Sequence, residues 1–427
     1  GKQWTCLPTD LYSHFALTSL NLSNNKLICI PQDIEQLSVL EELYLSHNRL
    51  GTGPRLDFLL PALTVLRLSH NQLKEIPHNI GCLSKLRVLD LSHNNIKEIS
   101  MSIEHLSSLE ILRLEHNELT TLRPEIFYLH KLKELHAFNN KITTLESVSF
   151  PSQVEVIDLT NNFLSFIHPL QFSSVEKILS LSLNNNQICY LDEELFLNQM
   201  HTLEEFQLAS NQLQQIPFSI GALAKLRLLN LSGNRLSEVP VSFGHLVSLQ
   251  SVHLNSNYIQ ELPRAIGNLG KLELLDVSYN QLVALPPTIG RLRKLKQFKL
   301  MYNRIEFLPT MIQDLHNLVL LDVTGNESIY SPPLDVCQGG VKAVIEYLKN
   351  VPVTVDDLEE GWEFVEPTQE DIKLEFGLSS NDLAPYLANY SSDLSTPQIP
   401  DDDEQIENPA PDGWISWLSR SILGGKQ

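Results

Sequence analysis

Residues 86–96 read LRVLDLSHNNI, and residues 226–236 read LRLLNLSGNRL. Both fit one frame, L-x-x-L-x-L-x-x-N-x-L, with Leu86, Leu89, Leu91, Asn94 and Ile96 in the first and Leu226, Leu229, Leu231, Asn234 and Leu236 in the second. Working outward from these stretches, the frame recurs along the chain and its asparagine marks each copy. The fourteen marks are Asn25, Asn48, Asn71, Asn94, Asn117, Asn140, Asn162, Asn186, Asn211, Asn234, Asn257, Asn280, Asn303 and Asn326. They stand 23 residues apart, except for three central steps of 22, 24 and 25. Fourteen copies in frame leave almost no room for chance.

The interval has a physical cause. A single 23-residue coil cannot bury its own leucines, so it stacks on its neighbours to make a continuous core. The L-x-L segment predicts a short strand, whose side chains alternate in direction. Leucines then point inward and the residues between them point outward. A buried asparagine has both donor and acceptor atoms, so it is expected to pair turn backbone of its own coil and the next. The ladder is structural and carries no function.

This frame resembles the leucine-rich repeat family from about residue 7 to residue 350. The second half of most copies reads I-P-x-x-I-x-x-L, as in Ile30-Pro31-Ile34-Leu37, Ile216-Pro217-Ile220-Leu223, Leu262-Pro263-Ile266-Leu269 and Leu308-Pro309-Ile312-Leu315. Proline starts the turn away from the sheet, and apolar residues three apart suit a short helical or 3₁₀ outer segment. The I-P-x-x-I-G-x-L variant is similar to intracellular, Ras-group members, which act as signalling scaffolds. The resemblance implies an α/β fold, a right-handed horseshoe with a parallel sheet on its concave face. At roughly 4.8 Å per strand, that face is on the order of 65 Å long.

Three regions are expected: the solenoid over 1–332, a closing helix within 333–350, and a tail over 351–427. In the closing segment Val341, Val344, Ile345 and Leu348 share one helical face that covers the last coil. The tail holds 17 acidic and 3 basic residues of a chain whose net charge is −20. It reads as a largely disordered acidic spacer. It also holds three of the four tryptophans, and solvated spacers rarely need them. Trp362 and Phe364, and then Trp414, Trp417, Leu418 and Ile422, are expected to be docking motifs for a partner or for the solenoid itself. Lys373-Leu374-Glu375-Phe376 loosely resembles the motif that docks on protein phosphatase one, with Leu where Val or Ile is usual. Between residues 141 and 202 the outer pattern weakens, which is read as drift on the tolerant outer face rather than a bend.

The concave face is where such solenoids bind. Its outward column reads Asn21, Tyr44, Arg67, Asp90, Arg113, His136, Asp158, Ser182, Gln207, Asn230, His253, Asp276, Lys299 and Asp322. Neither sign dominates, so nucleic acid is not an expected partner. Tyr258, Tyr279 and Tyr302 come from three adjacent copies, flanked by Met301, Lys299 and Lys296. They predict an aromatic strip with a basic edge, the composition of interface hot spots. His136, Phe138 and Phe163 form a weaker second patch. His47, His70, His93 and His116 share one position in four copies, and are read as structural filler rather than a metal site. The cluster Arg291, Arg293, Lys294, Lys296 and Lys299 is read as a solvated face or a dock for the acidic tail.

Catalytic motifs, among them G-x-x-x-x-G-K-[ST], H-E-x-x-H, G-x-S-x-G and C-x-x-C, are missing from the sequence. No cofactor or metal is expected. Cys6, Cys29, Cys82, Cys189 and Cys337 are scattered and odd in number, which favours a reducing compartment. Sequons occur at Asn21, Asn230, Asn326 and Asn389, and those at Asn21 and Asn230, inside the L-x-L-S frame on the concave strands, are read as chance matches. No apolar run approaches ~18 residues, and little positive charge flanks the tail tryptophans, so membrane contact is not expected. The chain starts at Gly1 in mid-repeat, so residues upstream are expected. The reading is a cytoplasmic, monomeric, non-enzymatic scaffold for protein partners, with Ras-pathway proteins as one family-based guess. The alternatives are a regulatory segment of a larger GTPase, kinase or phosphatase, and an extracellular receptor fragment.

Overall fold

The computed structural model describes residues 3–53, 58–145, 148–197 and 199–352. Among these, fourteen three-residue strands form a single parallel sheet in strict chain order, from Ser19–Asn21 to Leu320–Asp322. The central residue of each strand is buried and its neighbours face outward, as alternation requires. The register reproduces the outward column residue by residue, for example Tyr44↔Arg67↔Asp90↔Arg113↔His136. It also runs unbroken through the irregular middle, His136↔Asp158↔Ser182↔Gln207. The extra residues there lie outside the sheet, in the short helix Glu194–Leu197 and the 3₁₀ turn Gln199–Thr202.

On the outer side a proline with φ near −65° leads into a 3₁₀ turn, as with Pro217 before Phe218–Ala222 and Pro263 before Arg264–Asn268. Inside, leucines from Leu7 to Leu348 make one continuous core. Each ladder asparagine ties two coils together. Asn186 Nδ2 donates to Leu159 O and Leu183 O, both at 3.0 Å, and its Oδ1 accepts from Leu164 N at 3.0 Å. The second coil is therefore the preceding one, not the following one as expected. At the far end, Val344 and Leu348 of the helix Val341–Lys349 are buried, and the helix packs against the 3₁₀ turn Thr310–Asp314. The expected docking residues Trp362, Phe364, Trp414, Trp417, Leu418 and Ile422 lie outside the described residues.

Candidate functional site

The residue before every ladder asparagine is left-handed. The column runs Asn24, His47, His70, His93, His116, Asn139, Asn161, Asn185, Ser210, Gly233, Ser256, Tyr279, Tyr302 and Gly325, with φ between 52° and 77°. The turn after the strand imposes this conformation on all fourteen coils, whatever residue sits there. Asparagine, glycine and histidine tolerate it, whereas a bulky residue does so at a cost of roughly 1–2 kcal/mol. Tyr279 and Tyr302 nevertheless occupy it. Their rings stack at 4.7 Å and 18°, and each is 50% exposed. The Tyr302 ring lies over Gly325, where a Cβ would fall 2.6 Å from its Cδ1. The backbone does not ask for tyrosine here, so its selection points to the exposed ring faces.

The other predicted members separate. Tyr258 is also exposed, but it follows its ladder asparagine and its N–H bonds to Leu236 O, as Gln281 N does to Ile259 O. It therefore stands in the neighbouring column, outside the stack. Lys299 projects from the concave strand and pairs with Asp276 at 3.6 Å. Lys296 lies at the opposite end of that strand from Tyr302 and pairs with Glu273 at 2.7 Å. It belongs to a rim of ion pairs between coils that includes Arg87–Glu110 at 2.7 Å and Lys133–Glu110 at 2.9 Å. The expected basic edge is thus largely neutralised. Met301 is half-buried, and its carbonyl accepts from Tyr279 N.

The second patch does not assemble either. His136 bonds Glu134 at 3.1 Å on the strand, and Phe163 is exposed in the Tyr258-type column. Phe138 instead sets its edge against His116 at 5.5 Å. It ends a pile in which His47, His70, His93 and His116 stack at 4.1, 3.9 and 4.0 Å. Parallel rings do not converge on a metal, and no described group of three or more His, Cys, Asp or Glu can hold one. Burial, then His47, pushes the His70 imidazole below its ordinary value; burial, then His116 and His70, does the same to His93, and Asp90 opposes both shifts.

A folded value below the unfolded one means the unfolded chain takes the proton first. Stability is then complete above about pH 6.5 and declines as pH falls through that value. His253, lowered mainly by burial, acts in the same direction. Glu115, raised by its own burial, acts in the opposite sense, so the comparison between variants decides. The His70→Asn/His93→Asn chain is expected to lose less melting temperature than the wild type between pH 7.5 and 5.5. Equal losses would show that the pile does not sense pH.

The concave face also holds a row not singled out from sequence. Val65, Val88 and Ile111 pair in register on adjacent strands and are half exposed. The signal was present, since these residues sit one before the inward leucine, on the solvent side of the alternation.

Four families described as leucine-rich repeats match five stretches of the chain. They are a leucine-rich repeat region at 244–331, a two-copy repeat at 61–106, a repeat at 180–236, and single copies at 16–37 and 39–59. Together they span more than half of the sequence. The chain belongs to the leucine-rich repeat family. No curated protein matches the sequence. Among solved structures, this leucine-rich repeat chain is similar to a leucine-rich repeat protein of Leptospira interrogans, at 29% identity and TM-score 0.69, covering 83% of this chain and 93% of that one. It is similar in fold to Toll, in a Drosophila Toll–Spatzle complex, at 23% identity and TM-score 0.66, with 77% of this chain and 45% of that one covered. The functional domain of the internalin InlJ from Listeria monocytogenes gives 23% identity and TM-score 0.60, over 73% and 63%.

In a leucine-rich repeat protein the buried lanes serve the fold and the outward lanes are left for partners. Asn326 is 0% exposed, so its sequon is closed to a glycan. Among the described residues no helix is long and apolar enough to cross a membrane.

Proposed function

We propose that the chain is a non-enzymatic scaffold whose concave face and adjoining rim bind a protein partner, with Tyr279 and Tyr302 as the anchors. One observation carries the reading: two tyrosines stack in an unfavourable left-handed conformation with each residue half exposed. Rigid, half-exposed aromatic faces are what interface hot spots favour. The setting we propose is cytoplasmic signalling, and the scattered spacing of the five cysteines supports it. A second partner is assigned to the tail through Trp362, Phe364, Trp414 and Trp417.

The test takes Tyr279→Asn/Tyr302→Asn in the full chain, because asparagine already holds this backbone at Asn139, Asn161 and Asn185. Melting should hold or rise. Two anchors at about 2 kcal/mol each imply on the order of 10²- to 10³-fold weaker binding of the partner captured by the wild type. A Trp414→Ala/Trp417→Ala chain should lose a different set of proteins. An unchanged set with the tyrosine variant would sink the rim as the binding site.

A further inference from the structure

Of the four ring faces in the tyrosine stack, three meet a neighbour. Tyr279 and Tyr302 face each other at 4.7 Å, and the far face of Tyr302 lies against Gly325. The remaining face, that of Tyr279, is turned toward Ser256 of the preceding coil, and among the described residues no ring stacks on it. In that direction the left-handed column reads Ser256, Gly233 and Ser210. Ser256 is exposed. The same position carries a ring in four successive coils of the histidine pile, at spacings of 3.9 to 4.1 Å. The coils of Ser256 and Gly233 therefore leave a slot where the column is able to hold a ring.

The neighbouring column gives the slot its chemistry. It runs Arg235, Tyr258, Gln281 and Arg304, each donating its N–H to the coil before. Tyr258 belongs to the coil of Ser256 and is 54% exposed. Arg235 belongs to the coil of Gly233, and Arg304 to that of Tyr302. Both arginines are exposed, and among the described residues neither guanidinium has a partner, in contrast to Lys296 and Lys299. Glu238, Glu261 and Glu306 follow two or three residues later, toward the outer turns, and pair with neither arginine. An aromatic strip thus has an unneutralised cation at each end.

We propose that the slot over Ser256 receives an aromatic side chain from an acidic segment of a partner protein, whose carboxylates meet Arg235 and Arg304. This rests on the reading of Tyr279 and Tyr302 as anchors and names what they hold. The incoming ring extends the stack onto the free face of Tyr279, with Tyr258 to its side. A partner arginine would also stack there, but the unpaired cations at both ends disfavour it. The two arginines are three coils apart, roughly 14 Å at the strand spacing, which an extended segment of about four residues spans. Ring and carboxylates therefore fit on one short stretch of chain.

Fluorescence polarisation of labelled peptides titrated with the full chain tests this. The probes are SDEWSDEG, its lysine counterpart SKKWSKKG, and SDEASDEG, which lacks the ring. The first should bind about tenfold more tightly than either of the others. The chain carries a net charge of −20, so a preference for acid cannot come from long-range attraction. Ser256→His puts a ring in the slot, on a backbone that His47, His70, His93 and His116 already adopt. It should weaken the first peptide about tenfold while melting holds. Ser256→Gly copies Gly233 and should bind as the wild type does. Arg235→Gln/Arg304→Gln should erase the preference for acidic over lysine flanks. The proposal falls if the first peptide does not bind, or if either other probe binds as well. It falls equally if the acid preference survives loss of both arginines, or if Ser256→His and Ser256→Gly bind alike. Loss of the peptide in Tyr279→Asn/Tyr302→Asn but not in Ser256→His would discard the slot and keep the anchors. Affinity that drops as protein concentration rises would give the slot to a second copy, and this too overturns the proposal.

Discussion

Asn257→Ala is expected to lower the free energy of unfolding by about 4 kcal/mol. Asn257 Oδ1 accepts from Leu236 N at 3.0 Å, and Nδ2 donates to Leu231 O and Leu254 O, each at 3.0 Å. Truncation orphans the buried Leu236 amide, at about 1–3 kcal/mol, and removes one of two ladder donors from Leu231 O and Leu254 O, which keep Asn234 and Asn280, at about 1 kcal/mol each. Repeats contact only their neighbours, so the damage falls on the interface between two coils. Asn257→Asp should be no better, since it keeps the acceptor but loses both donors and buries a charge. Asn25→Ala supplies the scale. Asn25 is only part-buried, donates to Leu22 O at 2.9 Å and accepts from Trp4 N at 3.1 Å, with no earlier ladder coil to tie. Its loss should cost about 1 kcal/mol. Urea unfolding of both variants checks the pair, and equal costs would contradict the two-coil account of the ladder.

The ladder shows why so much of the fold was legible. A period of 23 with fixed leucines specifies which side chains face inward, and strand alternation then specifies the outward column, which the register reproduces. Legibility fails where position within a coil has to become position on a surface. Lys296 and Tyr302 are six residues apart, but the strand Gln297–Lys299 runs between them and sets them on opposite rims. Tyr258 and Tyr279 look equivalent until the ladder asparagine separates their columns. Phe138 follows His136 closely in sequence but packs on His116 of the preceding coil, because the pile of imidazoles offers it a face. The left-handed column was the least legible feature. The frame tolerates His, Asn, Ser, Gly and Tyr there, so no residue type announces the conformation.

Gly267→Ala should destabilise the solenoid by about 3 kcal/mol, whereas Gly270→Ala, three residues on, should be neutral or slightly stabilising. The glycine of the I-G-x-L pattern lies where successive coils touch on the outer side. A Cβ on Gly267 would fall 2.5 Å from Thr288 O and 2.7 Å from Thr288 Cβ. On Gly290 the atoms met are Met311 O at 2.4 Å and Met311 Cβ at 2.8 Å, and on Gly244 they are Ala265 Cβ at 2.6 Å and Ala265 O at 2.7 Å. These are backbone atoms and Cβ atoms, which no side-chain rotation moves aside. One methyl group must therefore push the next coil outward, and that coil carries its own ladder and leucines with it. Gly270 has nothing within 4 Å of the added carbon and needs no left-handed backbone. Its substitution only narrows the freedom of the unfolded chain. The two variants add the same atom to neighbouring positions, so their difference in melting temperature isolates the contact between coils. A matching small loss at both would mean that the outer turns can separate without cost. The close stacking of the 3₁₀ segments would then have no part in holding the sheet's strands in register.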